Sequence, residues 1–207
     1  MTYLACGPLP LLNRIKQRLS QFNETVIFST EISAACLASM QAGDTLLLIA
    51  APSPSAAQQL AQQARQLQLH FVEISTIDSP WAVSYGFLLQ VAGLAADLKA
   101  ASSILDALAP LPNGWWHVGH AGAAAFLGQL QQYSLLNPLG QESRLPAPEL
   151  RVSELLHQNC LAYLDSSHDE VFVSCHPDRH QALCASLDAQ QSPARQMAQL
   201  ISLLPHH

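Results

Sequence analysis

Charge is scarce in this 207-residue chain. Asp, Glu, Lys and Arg make up 12% of it, against about 25% in an average soluble protein. The balance is acidic, at −6. That balance argues against nucleic-acid partners, whose proteins need a basic stripe to meet phosphates. The nine basic residues are scattered, and only Arg14, Lys16 and Arg18 stand together. Lysine is nearly absent, with Lys16 and Lys99 the sole examples. No run reaches the roughly 18–20 apolar residues of a membrane span, so no membrane contact is expected. Tyr3-Leu4-Ala5-Cys6 has the form of a lipoprotein cleavage box, but no basic and apolar leader precedes it, which predicts no secretory signal. The five cysteines are odd in number and too sparse for a disulfide framework. A reducing cytoplasm is the expected setting.

What is abundant is apolar: 49% of the residues are hydrophobic, enough for a large core. Up to about residue 133, β-rich runs alternate with helical stretches. Thr2–Cys6, Thr25–Ser29, Thr45–Ala50, His70–Ser75 and Gly86–Ala92 read as strands. Leu9–Leu19, Ile32–Met40, Pro54–Gln68, Leu98–Leu108 and Ala121–Gln132 read as helices. The continuous run at Thr45–Ala50 suits a strand buried on both faces. Alternation of this kind predicts a three-layer α/β domain with a mostly parallel sheet over residues 1–136. Residues 137–149 read as a proline-rich linker, with Pro138, Gly140, Pro146 and Pro148 breaking any helix. Residues 150–207 read as a small, mainly helical tail with one strand at Glu170–Cys175.

Residues 43–133 carry a finer pattern. Gly43-Asp44 leads into the apolar strand, which ends in Ala50-Ala51-Pro52-Ser53-Pro54. Phe71-Val72-Glu73, Gly86-Phe87-Leu88 and Gly93 follow at regular intervals, then Val118-Gly119-His120-Ala121-Gly122-Ala123. This register resembles the β-hydroxyacid dehydrogenase superfamily, which includes 3-hydroxyisobutyrate and 6-phosphogluconate dehydrogenases, in a truncated and degenerate form. The resemblance implies a Rossmann-like fold, with Gly7, Ser53, Gly119 and Gly122 as the matching cofactor-side positions.

Departures from that pattern fall on the chemistry. The family's lysine position is Gly128 here, and its asparagine position is Gln132. The Ser-Gly-Gly that holds the substrate carboxylate is Ile77-Asp78-Ser79. Hydride transfer at a hydroxyl-bearing carbon needs a group to take or give the hydroxyl proton, and glycine cannot titrate. The phosphate loop is Gly7-Pro8-Leu9-Pro10-Leu11-Leu12, with Leu9 and Leu12 where the fingerprint wants glycines. NAD(P) binding is therefore expected to be weak or absent. The gap from Thr30 to Gly43 is also too short for the family, so either one β-α unit is missing or Thr25–Met40 corresponds to a later unit.

Substitute groups exist. His120 is a candidate general base, because histidine titrates near neutrality, and Asp78 is a second catalytic candidate. His120 also has a plain structural reading, as a loop histidine at the sheet's edge. Cys175, His176, His180 and Cys184, with His157 and Cys160 upstream, are candidate metal ligands at helical spacing, although buried cysteine is common without metal. Arg14, Lys16 and Arg18 are read as a solvated helix face, and Trp115-Trp116 as buried or interface aromatics. The apolar face of Ala121–Leu136 has little chain left to cover it and predicts a homodimer. The leading reading is a non-catalytic binding or scaffold protein. The alternatives are an NAD(P)-dependent oxidoreductase with a rearranged site and a metal-binding accessory protein.

Overall fold

A computed structural model describes residues 1–136, 152–168, 171–178 and 190–203. The order along the chain is β1 (Thr2–Cys6), α1 (Leu9–Arg18), β2 (Thr25–Ser29), α2 (Ala34–Ala38), β3 (Thr45–Ile49), α3 (Pro54–Gln66), β4 (His70–Thr76), α4 (Ala82–Tyr85) and β5 (Leu89–Ala92). It continues with α5 (Ala95–Ala100), α6 (Ser102–Leu108), β6 (Trp116–Gly119), α7 (Ala123–Leu136), α8 (Val152–Ser166) and α9 (Pro193–Ser202).

The apolar runs become the middle of the sheet. All five residues of β3 are buried, whereas β2 alternates between half-buried and exposed positions. The strand order β2-β1-β3-β4-β5-β6 explains the difference, since β3 is flanked on both sides and β2 is an edge. β1, β2, β3 and β4 are mutually parallel. β5 runs antiparallel to β4, and β6 is parallel to β5.

Helices follow their local signals. Ser53 caps α3 by accepting the Ala56 N–H, and Pro54 opens the helix, where a missing N–H costs nothing. Ala57, Ala61 and Ala64 then form the narrow buried stripe that lets α3 lie close to the sheet. Among the described residues no helix is long and apolar enough to cross a membrane.

Topology identifies the missing unit. In the common dinucleotide-binding order 3-2-1-4-5-6, a third strand stands outside the second. Here β2 is the outermost strand among the described residues. Thr25–Ser29 is thus the second strand, and the β-α unit that would follow it is the one lacking.

Four expectations change. The strand expected from Gly86 begins only at Leu89, because Gly86 (φ +95°) turns tightly against the backbone of Ala109 and Pro110. The single helix expected at Leu98–Leu108 is two, divided at Ala101 (φ −89°, ψ 5°). Trp116–Gly119, read only as part of a glycine motif, is a strand. Val171–Cys175 joins no ladder among the described residues. Its alternation arises because Phe172 is buried against the sheet edge, with Val171 and Val173 in solvent.

The apolar face of α7 is covered within one chain. Phe126 is fully buried and stacks on Tyr163 of α8, with ring centroids 4.3 Å apart. Leu127 and Leu130 belong to the same cluster as Ala194 and Ala198 of α9. The exposed stripe that argued for a second copy is therefore absent at these positions; the side chains of Leu135 and Leu136 and the linker at 137–149 lie outside the described residues.

Candidate ligand cleft

In open α/β sheets, ligands sit beyond the carboxyl ends of the strands, where the order reverses. The reversal here falls between β1, which leads to β2 on one side, and β3 on the other. Two adjoining clefts open at that point. The larger, about 690 Å³, lies between the β3 and β4 ends and α7; its floor includes Ala50, Ser75 and Thr76, and its helical wall Gly128, Gln129 and Gln132. The smaller, about 310 Å³, lies over the β1–α1 turn and includes Cys6, Gly7, Leu9, Thr30 and Ile32. Pro8, Ala50 and Pro52 line both.

The smaller cleft is where a dinucleotide's phosphates would meet the first helix. Gly7 lets the turn pack closely on β3, since a Cβ there would stand 2.6 Å from the Ile49 carbonyl oxygen. The donors for phosphate are missing. A helix N-terminus binds anions through its free backbone N–H groups. Pro8 caps α1 and Pro10 sits in its first turn, and proline has no N–H. The Gly7 N–H is donated to the Ser29 carbonyl, and the Leu12 N–H to the Pro8 carbonyl. That leaves at most Leu9 and Leu11. Leu9 is exposed at the cleft, but Leu12 turns into the core and does not crowd the phosphate path. Glu31 lies two residues past β2, near where the fingerprint puts a ribose-binding carboxylate, but it does not line the cleft. The residues present do not fit a nicotinamide dinucleotide.

The larger cleft has little to titrate. The residue at the lysine position, Gly128, faces Ser75 so closely that a Cβ would lie 2.6 Å from the Ser75 hydroxyl oxygen. A side chain here would have to displace the Ser75 hydroxyl. Asp78 lines the cleft but pairs with Arg14 of α1. The rest of the polar lining is neutral. Thr76 Oγ1 is buried without a partner among the described residues. Gln129 donates to the Pro52 carbonyl at 3.2 Å and so ties the two walls together. Tyr133 Oη accepts from Asn159 of α8 at 3.2 Å.

His120 does not line either cleft. It is partly buried beside Phe172, and burial lowers its pKa. His117 is buried, with its ring nitrogens against the Gly93 carbonyl and the Cys175 N–H. Burial pushes it down to about 4, so it is neutral and structural. Ser53 caps α3, Gly119 packs against Ala123 and Ser192, and Gly122 (φ +99°) forms the turn into α7. Among the described residues no group of three or more His, Cys, Asp and Glu could hold a metal. Cys175 Sγ lies 3.6 Å from the Ala95 carbonyl, His176 packs on Trp115, and Cys160 is buried under α7. His180 and Cys184 lie outside the described residues.

Two structural groups escaped the sequence reading. Glu73 is fully buried and accepts the N–H groups of Gly122 at 2.6 Å and Ala125 at 2.7 Å, stitching β4 to the start of α7. Arg18, read as solvated, donates to the carbonyls of Val83, Ser84, Ala107 and Ala109 and clamps α1 to the ends of α4 and α6. The 49-residue separation between Glu73 and Gly122 leaves no local signal, and Arg18 differs from a surface arginine only in its tertiary neighbours.

No protein-family model and no curated protein matches the chain. Solved structures do. An imine reductase from Myxococcus stipitatus in complex with NADP+ is 14% identical, with 98% of this chain and 92% of that one covered at a TM-score of 0.53. A 3-hydroxyisobutyrate dehydrogenase from Salmonella typhimurium is 11% identical, covering 98% and 78% at 0.52. An imine reductase from Aspergillus terreus in complex with NADPH4 and dibenz[c,e]azepine is 14% identical, covering 98% and 91% at 0.53. The likeness thus extends beyond residues 43–133 to the helical tail.

Proposed function

We propose that this chain, which has the Rossmann-like fold of β-hydroxyacid dehydrogenases and imine reductases, is a non-catalytic protein that binds a small uncharged ligand in the larger cleft. The observation that carries this reading is Gly128 packed on Ser75: where the resemblance puts the family's lysine, this chain carries no side chain and so neither an acid nor a base. The neutral lining supports the ligand's lack of charge. Serine and threonine hydroxyls and glutamine amides both donate and accept, and they suit a partner with both kinds of group. The prolines of the β1–α1 turn support the absence of a phosphate-bearing cofactor.

A second reading rests on Asp78, the one carboxylate lining the larger cleft among the described residues. In it the chain is an NAD(P)-dependent oxidoreductase with a rearranged site. Steady-state assays separate the two, with NADP+ plus 3-hydroxyisobutyrate or 6-phosphogluconate, and with NADPH plus a cyclic imine. The binding-protein reading expects no turnover above the no-enzyme rate, since general acid–base catalysis alone typically supplies about 10²–10⁴-fold. Turnover abolished by Asp78→Asn would establish the oxidoreductase instead.

A further inference from the structure

The smaller cleft stands where a dinucleotide's phosphates would sit, and the ligand-binding reading leaves it unused. Its lining is apolar. Leu48 and Ile49 of β3 are buried there, Ile32 is half-buried, and Pro8 and Leu9 are exposed. Among the described residues no charged side chain lines it, and Thr30 brings its one hydroxyl. The Gly7 N–H is donated to the Ser29 carbonyl, and Pro8 and Pro10 have none to give. An anion placed here would leave water for few partners, which is costly. An apolar group carries no such penalty and gains from leaving water. Leu9, 58% exposed, would be covered by it.

The two clefts are continuous. Pro8, Ala50 and Pro52 line both. Ala50, at this junction, has φ +53°, a conformation uncommon for any residue with a Cβ. Backbone held in such sparsely populated regions clusters where ligands bind. The Ala50 N–H is fixed to the Ile74 carbonyl at 2.8 Å, and its side chain is a single methyl group, so no long side chain at this position divides the clefts. The polar groups lie on one side of the junction. Ser75, Thr76, Gln129 and Gln132 line the larger cleft, and none of them lines the smaller one.

We propose that the ligand is amphipathic, with a neutral head in the larger cleft and an alkyl tail that passes Ala50 into the smaller one. This rests on the ligand-binding reading of the larger cleft and adds the tail and its place. The head both donates and accepts hydrogen bonds, to match the hydroxyls and amides around it. The tail lies against Leu9, Ile32, Leu48 and Ile49, in the space that phosphates take in dinucleotide-binding folds. A volume of about 310 Å³ is at the lower end of ligand pockets and suits one unbranched chain. Primary amides and alcohols of short to medium chain have this chemistry.

The test is titration of the isotopically labelled full chain with butanamide, hexanamide and octanamide, followed by nuclear magnetic resonance. Each methylene that is buried should tighten binding by about fourfold at most, so octanamide should bind at least about tenfold more tightly than butanamide. Octanamide should move the backbone amide signals of Gly7, Thr30 and Ile32 as well as the side-chain amide signals of Gln129 and Gln132. Leu9→Asp, at an exposed position, should abolish the gain with chain length and leave butanamide binding unchanged. Equal affinity for butanamide and octanamide, with shifts confined to Gln129 and Gln132, would overturn the tail and leave the reading of the larger cleft standing. No shift at either set with millimolar octanamide would overturn the proposal, and so would a chain-length gain that survives Leu9→Asp. The chain-length series on the native protein is decisive even where the variant does not fold.

Discussion

Two helices in this molecule begin just beyond the carboxyl end of a strand, and their first turns have opposite contents. α7 starts with its donors intact and receives a carboxylate from inside the protein, with Glu73 accepting the N–H groups of Gly122 and Ala125. α1 starts at the position that meets phosphate in dinucleotide-binding folds, yet Pro8 and Pro10 remove two donors and the Ser29 carbonyl takes a third. A helix start binds an anion through the N–H groups it leaves free. The same sheet thus holds an internal carboxyl group at the start of α7 and leaves few free N–H donors at the start of α1.

Breaking the α7 joint should have the largest effect. Glu73→Ala strands two buried N–H groups and opens a cavity, with an expected loss of roughly 3–5 kcal/mol in urea unfolding. Glu73→Gln keeps one acceptor and should lose clearly less. On the α1 side, Arg18→Ala removes a guanidinium that reaches four carbonyl oxygens. Its partial exposure moderates the cost to about 2 kcal/mol by the same measurement. Gly128→Lys is smaller again, about 1–2 kcal/mol, because the new Cβ meets the Ser75 hydroxyl and must displace it. The variant should gain no dehydrogenase activity, since Gln132 and Ile77-Asp78-Ser79 are unchanged.

The smallest expected effect is a pH dependence. Burial carries the Glu73 carboxyl from 4.5 up to about 7 against the pull of its N–H partners. The folded protein holds that proton more tightly than the unfolded chain. The stability so gained is complete below pH 4.5 and is lost as pH rises through about 7. His117 acts in the opposite sense: burial lowers it from 6.5 to about 4, so its contribution is complete above pH 6.5 and is lost as pH falls through about 4. The two nearly oppose each other across one window. Urea midpoints of Glu73→Gln, followed from neutral to acid pH, should fall more steeply than those of the native protein. Parallel curves would contradict the assignment to Glu73.

Local signals made much of the fold legible. The apolar run of β3 and the Ser53-Pro54 start of α3 each encode their structure nearby. β6 was missed because Trp116-His117-Val118-Gly119 is short and carries a histidine whose burial depends on the Gly93 carbonyl and Cys175. The site was half legible. Gly128 could be matched to the family's lysine position through the resemblance, but its contact with Ser75 could not be read. Counting glycines in the phosphate loop pointed to Leu9 and Leu12, whereas the physical defect lies in the prolines between and before them. Glu73 passed unnoticed because its partners are distant in sequence.

If the reversal point of the sheet offers a ligand cleft but no dinucleotide site, calorimetric titration of the native chain with NADPH should give no saturable heat up to millimolar nucleotide; a single-site isotherm with micromolar affinity would contradict that.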